Sequence, residues 1–251
     1  LAELRRLLIA PERLIPDRAL QLSSSEAHYL RRVLRLRPGD PIALVDGQGS
    51  LWQASLLDGG QLQLSSGPSL QMSPVSPRLG LAVVGVRRGM DDLMRMATEL
   101  GVDQIQPLRS QWRTLQAEDR PDRWQVILQE AVEQSERLWS PKLAPCLDVN
   151  KWWAAQAPGS ALALPTTRQD GLVDLHDWLL QLPAASDDGA PREVWVAIGP
   201  EAGWSAAEEE EAIRQGWTPV SIGETILRTS TAAIAAATLM TAWRRQPSPG
   251  L

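Results

Sequence analysis

Cysteine occurs once in the 251 residues, at Cys146, and histidine twice, at His28 and His176. A single thiol excludes an intramolecular disulfide and a cysteine-rich zinc site. Two histidines this far apart in sequence suggest no histidine metal site, so no metal is expected. The chain has one tyrosine and no phenylalanine, which leaves eleven tryptophans to fill the large core positions. No run of eighteen apolar residues occurs, so no membrane helix is expected. Arg5 and Arg6 lie inside the apolar run Leu1 to Ile9 rather than ahead of it. A secretory signal would put them first, so a cytoplasmic location is expected. The chain also lacks a Gly-x-Gly-x-x-Gly motif and a Walker lysine, so nothing marks a phosphate cradle.

What remains is an ordinary globular composition, 43% hydrophobic and 22% charged. The net charge of −5 argues against indiscriminate nucleic-acid binding but leaves room for a local basic footprint. Residues 1–37 hold eight arginines against four acids, about +4, so the rest of the chain sums to −5 − 4 = −9.

Gln71-Met-Ser-Pro-Val-Ser-Pro77 has two prolines and two serines in seven residues, a linker signature. It divides a first domain, 1–72, from a second, 73–251. Before it, Pro41–Val45, Leu51–Leu56 and Gln61–Leu64 read as short strands between turn signals, as in a small β-barrel. Ser23 and Glu26 have capping-box spacing and start a short helix. On that helix Ala27, Leu30 and Leu34 share an apolar face, and His28, Arg31, Arg32 and Arg35 share a neighbouring stripe.

After the linker, strands alternate with helices, which predicts an α/β domain with a mostly parallel sheet. Strands are expected at Leu79–Val86, Ala161–Leu164, Val194–Ile198 and Pro219–Ile222. Helices are expected at Asp91–Leu100, stopped by Gly101, at Pro121–Arg137, from Ser205 and from near Thr231. Ala184–Pro191 reads as a flexible loop.

Three segments carry candidate chemistry. Ile198-Gly-Pro-Glu-Ala-Gly-Trp-Ser-Ala-Ala-Glu208 is a strand, a glycine-rich turn and a helix start. Gly199 and Gly203 let backbone groups approach a ligand closely. Such loops follow the C-terminal ends of parallel strands, where α/β domains bind ligands; an ordinary strand-to-helix turn also accounts for these residues. The second segment is Ser221-Ile-Gly-Glu-Thr-Ile-Leu-Arg-Thr-Ser-Thr-Ala-Ala-Ile-Ala-Ala-Ala237, with apolar Ile226 and Leu227 and a fixed cation, Arg228, in the loop ahead of a small-residue helix. The third, Glu130-Ala-Val-Glu-Gln-Ser-Glu-Arg137, places Glu130, Gln134 and Arg137 on one helix face; a solvated face is the usual explanation.

In this order the three segments resemble the motifs of the RsmE-type 16S ribosomal RNA uridine N3-methyltransferases, members of the SPOUT class. Ala97-Thr-Glu-Leu-Gly-Val102, His28-Tyr-Leu-Arg-Arg-Val-Leu-Arg35, Pro38-Gly-Asp40 and Asp46-Gly47 extend the resemblance over nearly the whole chain. The resemblance implies an N-terminal PUA-like β-barrel that binds RNA and a C-terminal SPOUT domain with a trefoil knot, acting as a homodimer. It implies S-adenosyl-L-methionine as cofactor, held by Leu164, Pro165, Ile198, Gly199, Pro200, Glu201, Gly203, Ile222, Gly223, Ile226, Leu227 and Thr229. Arg228 and Glu201 are the implied catalytic pair, Arg228 against charge on the uracil and Glu201 to take the proton or orient the ring. Gln134, Ser135 and Arg137 stand on the RNA side, with Arg31, Arg32 and Arg35 as phosphate contacts of 16S ribosomal RNA or the small subunit. Four positions depart from the usual motifs: Ala202 for glycine, Ser230 for glutamate, Met96 for lysine, and Trp112 near an expected arginine. Two other readings stand beside this one: a SPOUT RNA methyltransferase with a different target base, and a non-catalytic RNA-binding protein.

Overall fold

A computed structural model describes residues 5–114, 116–167, 169–183 and 190–246. The chain packs as two compact units, Leu1–Pro74 with Gln129–Ser140, and Val75–Leu128 with Pro141–Leu251. The loop expected at Ala184–Pro191 lies outside the described residues except for its last two positions.

The first unit is built on β1 (Arg6–Leu8), β2 (Ala19–Gln21), α1 (Ser24–His28), β3 (Pro41–Val45), β4 (Ser50–Leu56), β5 (Gln61–Leu64) and β6 (Leu70–Gln71). The sheet runs β1-β3-β4-β5-β2, with β6 on β4; only β1 and β3 pair in parallel. Alternate residues of β5, Leu62 and Leu64, reach a core shared with Leu7, Ile42, Leu44 and Leu30. Ser23 caps α1 through the reciprocal bonds with Glu26 that the spacing predicts. The helix then loosens into a π turn at Tyr29–Val33, and Arg35 takes φ 57°. Arg35 therefore leaves the helical stripe expected for it, while Arg31 and Arg32 stay exposed.

The second unit contains β7 (Arg78–Val84), α2 (Met90–Leu100), β8 (Gln104–Arg109), α3 (Pro121–Gln134), β9 (Lys142–Leu143), β10 (Leu147–Asp148), α4 (Val149–Trp153), β11 (Ala161–Pro165), β12 (Val173–Asp174), α5 (Leu175–Leu180), β13 (Glu193–Ile198), α6 (Ala206–Arg214), β14 (Thr218–Ser221) and α7 (Thr229–Arg244). The last residues of α3, from Gln129, belong to the first unit. The helix ends at Gln134, because Glu136 turns to φ 59°; Arg137 is thus not on the helix face expected to carry it.

All strand pairs of this unit are parallel, in the order β10-β8-β7-β13-β11-β14-β12. Strands β7 and β13 are buried along nearly their whole length, as in a sheet covered on both faces. Their side chains alternate between two cores. Leu79, Leu81, Val83, Val194, Val196 and Ile198 join the helical layer of α2, α5 and α7. Ala82, Val84, Trp195 and Ala197 face the opposite layer of α4 and α6. That second layer is a tryptophan cluster: Trp152 lies 5.3 Å from Trp195 and 5.0 Å from Trp217, and Trp153 lies 5.3 Å from Trp204, between ring centroids. Gly80 has no Cβ because the ring of Trp195 occupies that space. No helix among the described residues is long and apolar enough to cross a membrane.

Candidate active site

The loops after β11, β13 and β14 leave the same edge of the second unit, since the three strands are parallel neighbours. Between them lies a cavity of about 360 Å³, within the range of small-molecule sites. Of the positions implied for a cofactor, Pro165, Ile198, Gly199, Pro200, Gly203, Ile222, Gly223, Leu227 and Thr229 line it.

Local chemistry explains each wall. Gly203 closes a turn with φ 81°, donating its N–H to the Pro200 carbonyl at 2.8 Å; that backbone conformation favours glycine. Ser205 then caps α6, and its own N–H donates to Glu208 Oε2 at 2.9 Å. Glu208 is buried and also accepts the Gln111 N–H at 2.8 Å, so it anchors the turn rather than facing a ligand. On the third loop, the Ser221 hydroxyl accepts the N–H of Gly223 at 3.1 Å. The Thr229 hydroxyl donates to the Gly199 carbonyl at 2.9 Å and ties the second loop to the start of α7. Trp204 donates its indole N–H to the Pro165 carbonyl at 3.3 Å, tying the second loop to the first.

Several implied positions fall elsewhere. Leu164 is fully buried in the tryptophan layer, because the alternation along β11 turns it away from the cavity. Ile226 is 64% exposed and does not line the cavity. Glu201 and Arg228 are exposed and do not line it either. Arg228 is the N-cap residue of α7, which begins two residues before the expected Thr231, and its side chain makes no capping bond. Gln134 and Ser135 sit at the end of α3, where the Ser135 hydroxyl donates to the Ala131 carbonyl at 2.6 Å; with Arg137 they pack in the first unit. Ala202 has no positive φ, so alanine there costs no backbone strain.

The cavity also draws in Trp112, Thr166, Thr167, Gln169, Trp204, Glu209, Thr225 and Ala232. Trp204 and Thr225 lie inside the segments singled out by sequence. Thr166, Thr167 and Gln169 had only their place after a strand to mark them, Trp112 stood out only as a departure from the motif, and nothing local marked Glu209.

The walls are backbone, apolar side chains, hydroxyls, amides and one carboxylate. They fit an uncharged adenine and a positively charged sulfonium, and among the described residues they offer no cationic cradle for a phosphate. No group of three or more histidine, cysteine, aspartate or glutamate side chains suited to a metal occurs among the described residues.

A doubly covered parallel sheet with a ligand-sized cavity at its strand ends defines a ligand-binding α/β domain. Residues 73–241 match the RNA methyltransferase domain model and residues 22–65 the RNA methyltransferase PUA domain model. The chain belongs to the RNA methyltransferase family. It is 36% identical to ribosomal RNA small subunit methyltransferase E of Synechocystis over 231 residues, 90% of this chain and 74% of the relative. The enzyme of the same name from Rickettsia conorii is 28% identical, over 89% of this chain and 90% of the relative. Among solved structures, a ribosomal RNA small subunit methyltransferase E from Neisseria gonorrhoeae bound to S-adenosyl methionine superposes with a TM-score of 0.78 at 27% identity, covering 96% of this chain and 98% of the other. A putative methyltransferase from Legionella pneumophila with the same cofactor gives 0.78 at 26%, with the same coverage.

Proposed function

We propose that this protein methylates N3 of a uridine in small-subunit ribosomal RNA with S-adenosylmethionine. One observation carries the reading: in a chain of this family, three sequence-distant loops meet around a single charge-poor cavity that suits this cofactor. Bound there, S-adenosylmethionine supplies an electrophilic methyl carbon on a positively charged sulfur. Backbone groups of Gly199, Gly203 and Leu227 and the apolar walls of Ile198 and Ile222 bind and orient it.

To receive the methyl group, the uracil N3 would have to give up its proton. Glu201, in the turn between β13 and α6, takes the proton. Arg228, exposed at the start of α7, offsets the negative charge spreading onto the uracil oxygens. The target base is unstacked or single-stranded so that N3 is reachable.

The PUA-like first unit binds RNA, with Arg31 and Arg32 as phosphate contacts and Gln134, Ser135 and Arg137 as further contacts. Insertion of β13 between β7 and β11 supports a knotted SPOUT path, and the apolar face of α7 supports a homodimer. Action on ribosomal RNA supports a cytoplasmic location.

The test is nucleoside analysis by mass spectrometry of small-subunit ribosomal RNA treated with protein and cofactor. Methylation at uridine N3 is expected. A different methylated nucleoside transfers the reading to another target base, and none at all sinks it.

A further inference from the structure

Glu209 is the one ionisable side chain lining the cavity among the described residues. It is half-buried on α6, and its carboxylate accepts the Thr166 hydroxyl and, at 3.0 Å, the Gln169 amide. Both donors are neutral, and no described cation pairs with it. The two hydrogen bonds hold the group in place without cancelling its charge. Among the described residues, the charge that Glu209 brings to the cavity wall is thus uncompensated, and attraction to a cation in a partly water-excluded cleft is several times stronger than in bulk water.

We propose that Glu209 is the residue by which this site prefers the cationic methyl donor over the neutral thioether left after transfer. The inference rests on the proposed methyltransferase function. The two molecules share adenine, ribose and amino-acid end, and differ by one methyl group and one positive charge. A fixed carboxylate therefore stabilises the donor and not the product, which favours exchange after each turnover. A carboxylate that instead accepted ribose hydroxyls would help both equally.

Calorimetric affinities for S-adenosylmethionine and S-adenosylhomocysteine test this in the wild type, Glu209→Gln and Glu209→Asp. In Glu209→Gln the donor is expected to weaken about tenfold and the product to stay within about twofold. Retained product binding shows that the variant is folded. Glu209→Asp keeps the charge and is expected to keep most of the preference. Equal weakening of both ligands overturns the proposal, because the carboxylate then binds a shared group. No change in either, or loss of both, overturns it too and makes Glu209 a strut for the 166–169 loop. A wild type that binds neither ligand overturns the methyltransferase reading itself, and the inference with it.

Discussion

The carboxylate of Glu133 accepts the backbone N–H of Leu8 at 2.9 Å, joining the end of α3 to β1 within the first unit. Burial pushes this carboxyl above its ordinary range. Hydrogen bonds from Leu8 and Gln129 pull it down less strongly, and Glu130 and Glu26 add to the rise. In the unfolded chain the group loses its proton near the ordinary value of about 4.3. The folded protein holds the proton to higher pH. The contribution to stability is therefore full below the unfolded value and is lost as pH rises through the folded one. Glu133→Gln keeps an oxygen for Leu8 and cannot ionise. Its melting temperature, relative to wild type, is expected to climb from pH 4 to pH 7. A difference that does not vary with pH would show that the buried carboxyl is not the cause.

Arg228 stands exposed at the N-cap of α7 and makes no side-chain cap. The cavity wall runs through its neighbours Leu227 and Thr229 instead. Arg228→Ala is expected to lower turnover roughly a hundredfold, the usual cost of one donor to a developing negative charge. Cofactor affinity is expected to stay within a few-fold. Single-turnover rates at saturating cofactor, alongside calorimetry, separate the two; lost cofactor binding with turnover intact would reassign the residue.

Arg31 and Arg32 are exposed on the π turn that follows α1. Replacing both by glutamine is expected to weaken RNA binding and flatten the plot of log affinity against log salt by about one to two. S-adenosylmethionine binding, proposed for the cavity of the second unit, is expected to stay unchanged. A filter-binding salt series in which the slope does not move would return these residues to a solvated face.

Met96 of α2 and Ile234, Ala235, Thr238 and Leu239 of α7 line a mostly apolar groove, and the small residues among them allow a second helix to approach closely. Light scattering at low micromolar concentration is expected to give twice the 27.6 kDa chain mass. Ile234→Glu is expected to shift the protein toward monomer. A wild-type monomer at that concentration would exclude the homodimer.

Local chemistry made much of this protein readable in one dimension. Pro41–Val45 and Gln61–Leu64 are strands with the ends their turn signals mark. Ser23 with Glu26, and Ser205 with Glu208, are capping boxes as their spacing requires, and Gly101 ends α2 in the left-handed region. These features rest on bonds closed within a few residues. The two- and three-residue strands β1, β2, β6, β9, β10 and β12 left no periodicity to read. Strand β8 carries Pro107 and two glutamines and reads poorly as a buried strand, yet all but its first and last residues are buried.

The site divides in the same way. The sequence alone determined that glycine-bearing loops follow two strands and that Arg228 stands ahead of a small-residue helix, because each is a contiguous motif. Only the tertiary structure decided which residues share a cavity. The two-residue alternation of β11 sent Leu164 into the tryptophan layer. The turn at Glu136 removed Arg137 from the face of α3. Parallel pairing of β11 with β13 brought Glu209 to Thr166 and Gln169, 43 and 40 residues away along the chain. Contacts of that kind depend on strand order, and strand order is settled by burying both faces of the sheet at once, a global condition that no local spacing encodes.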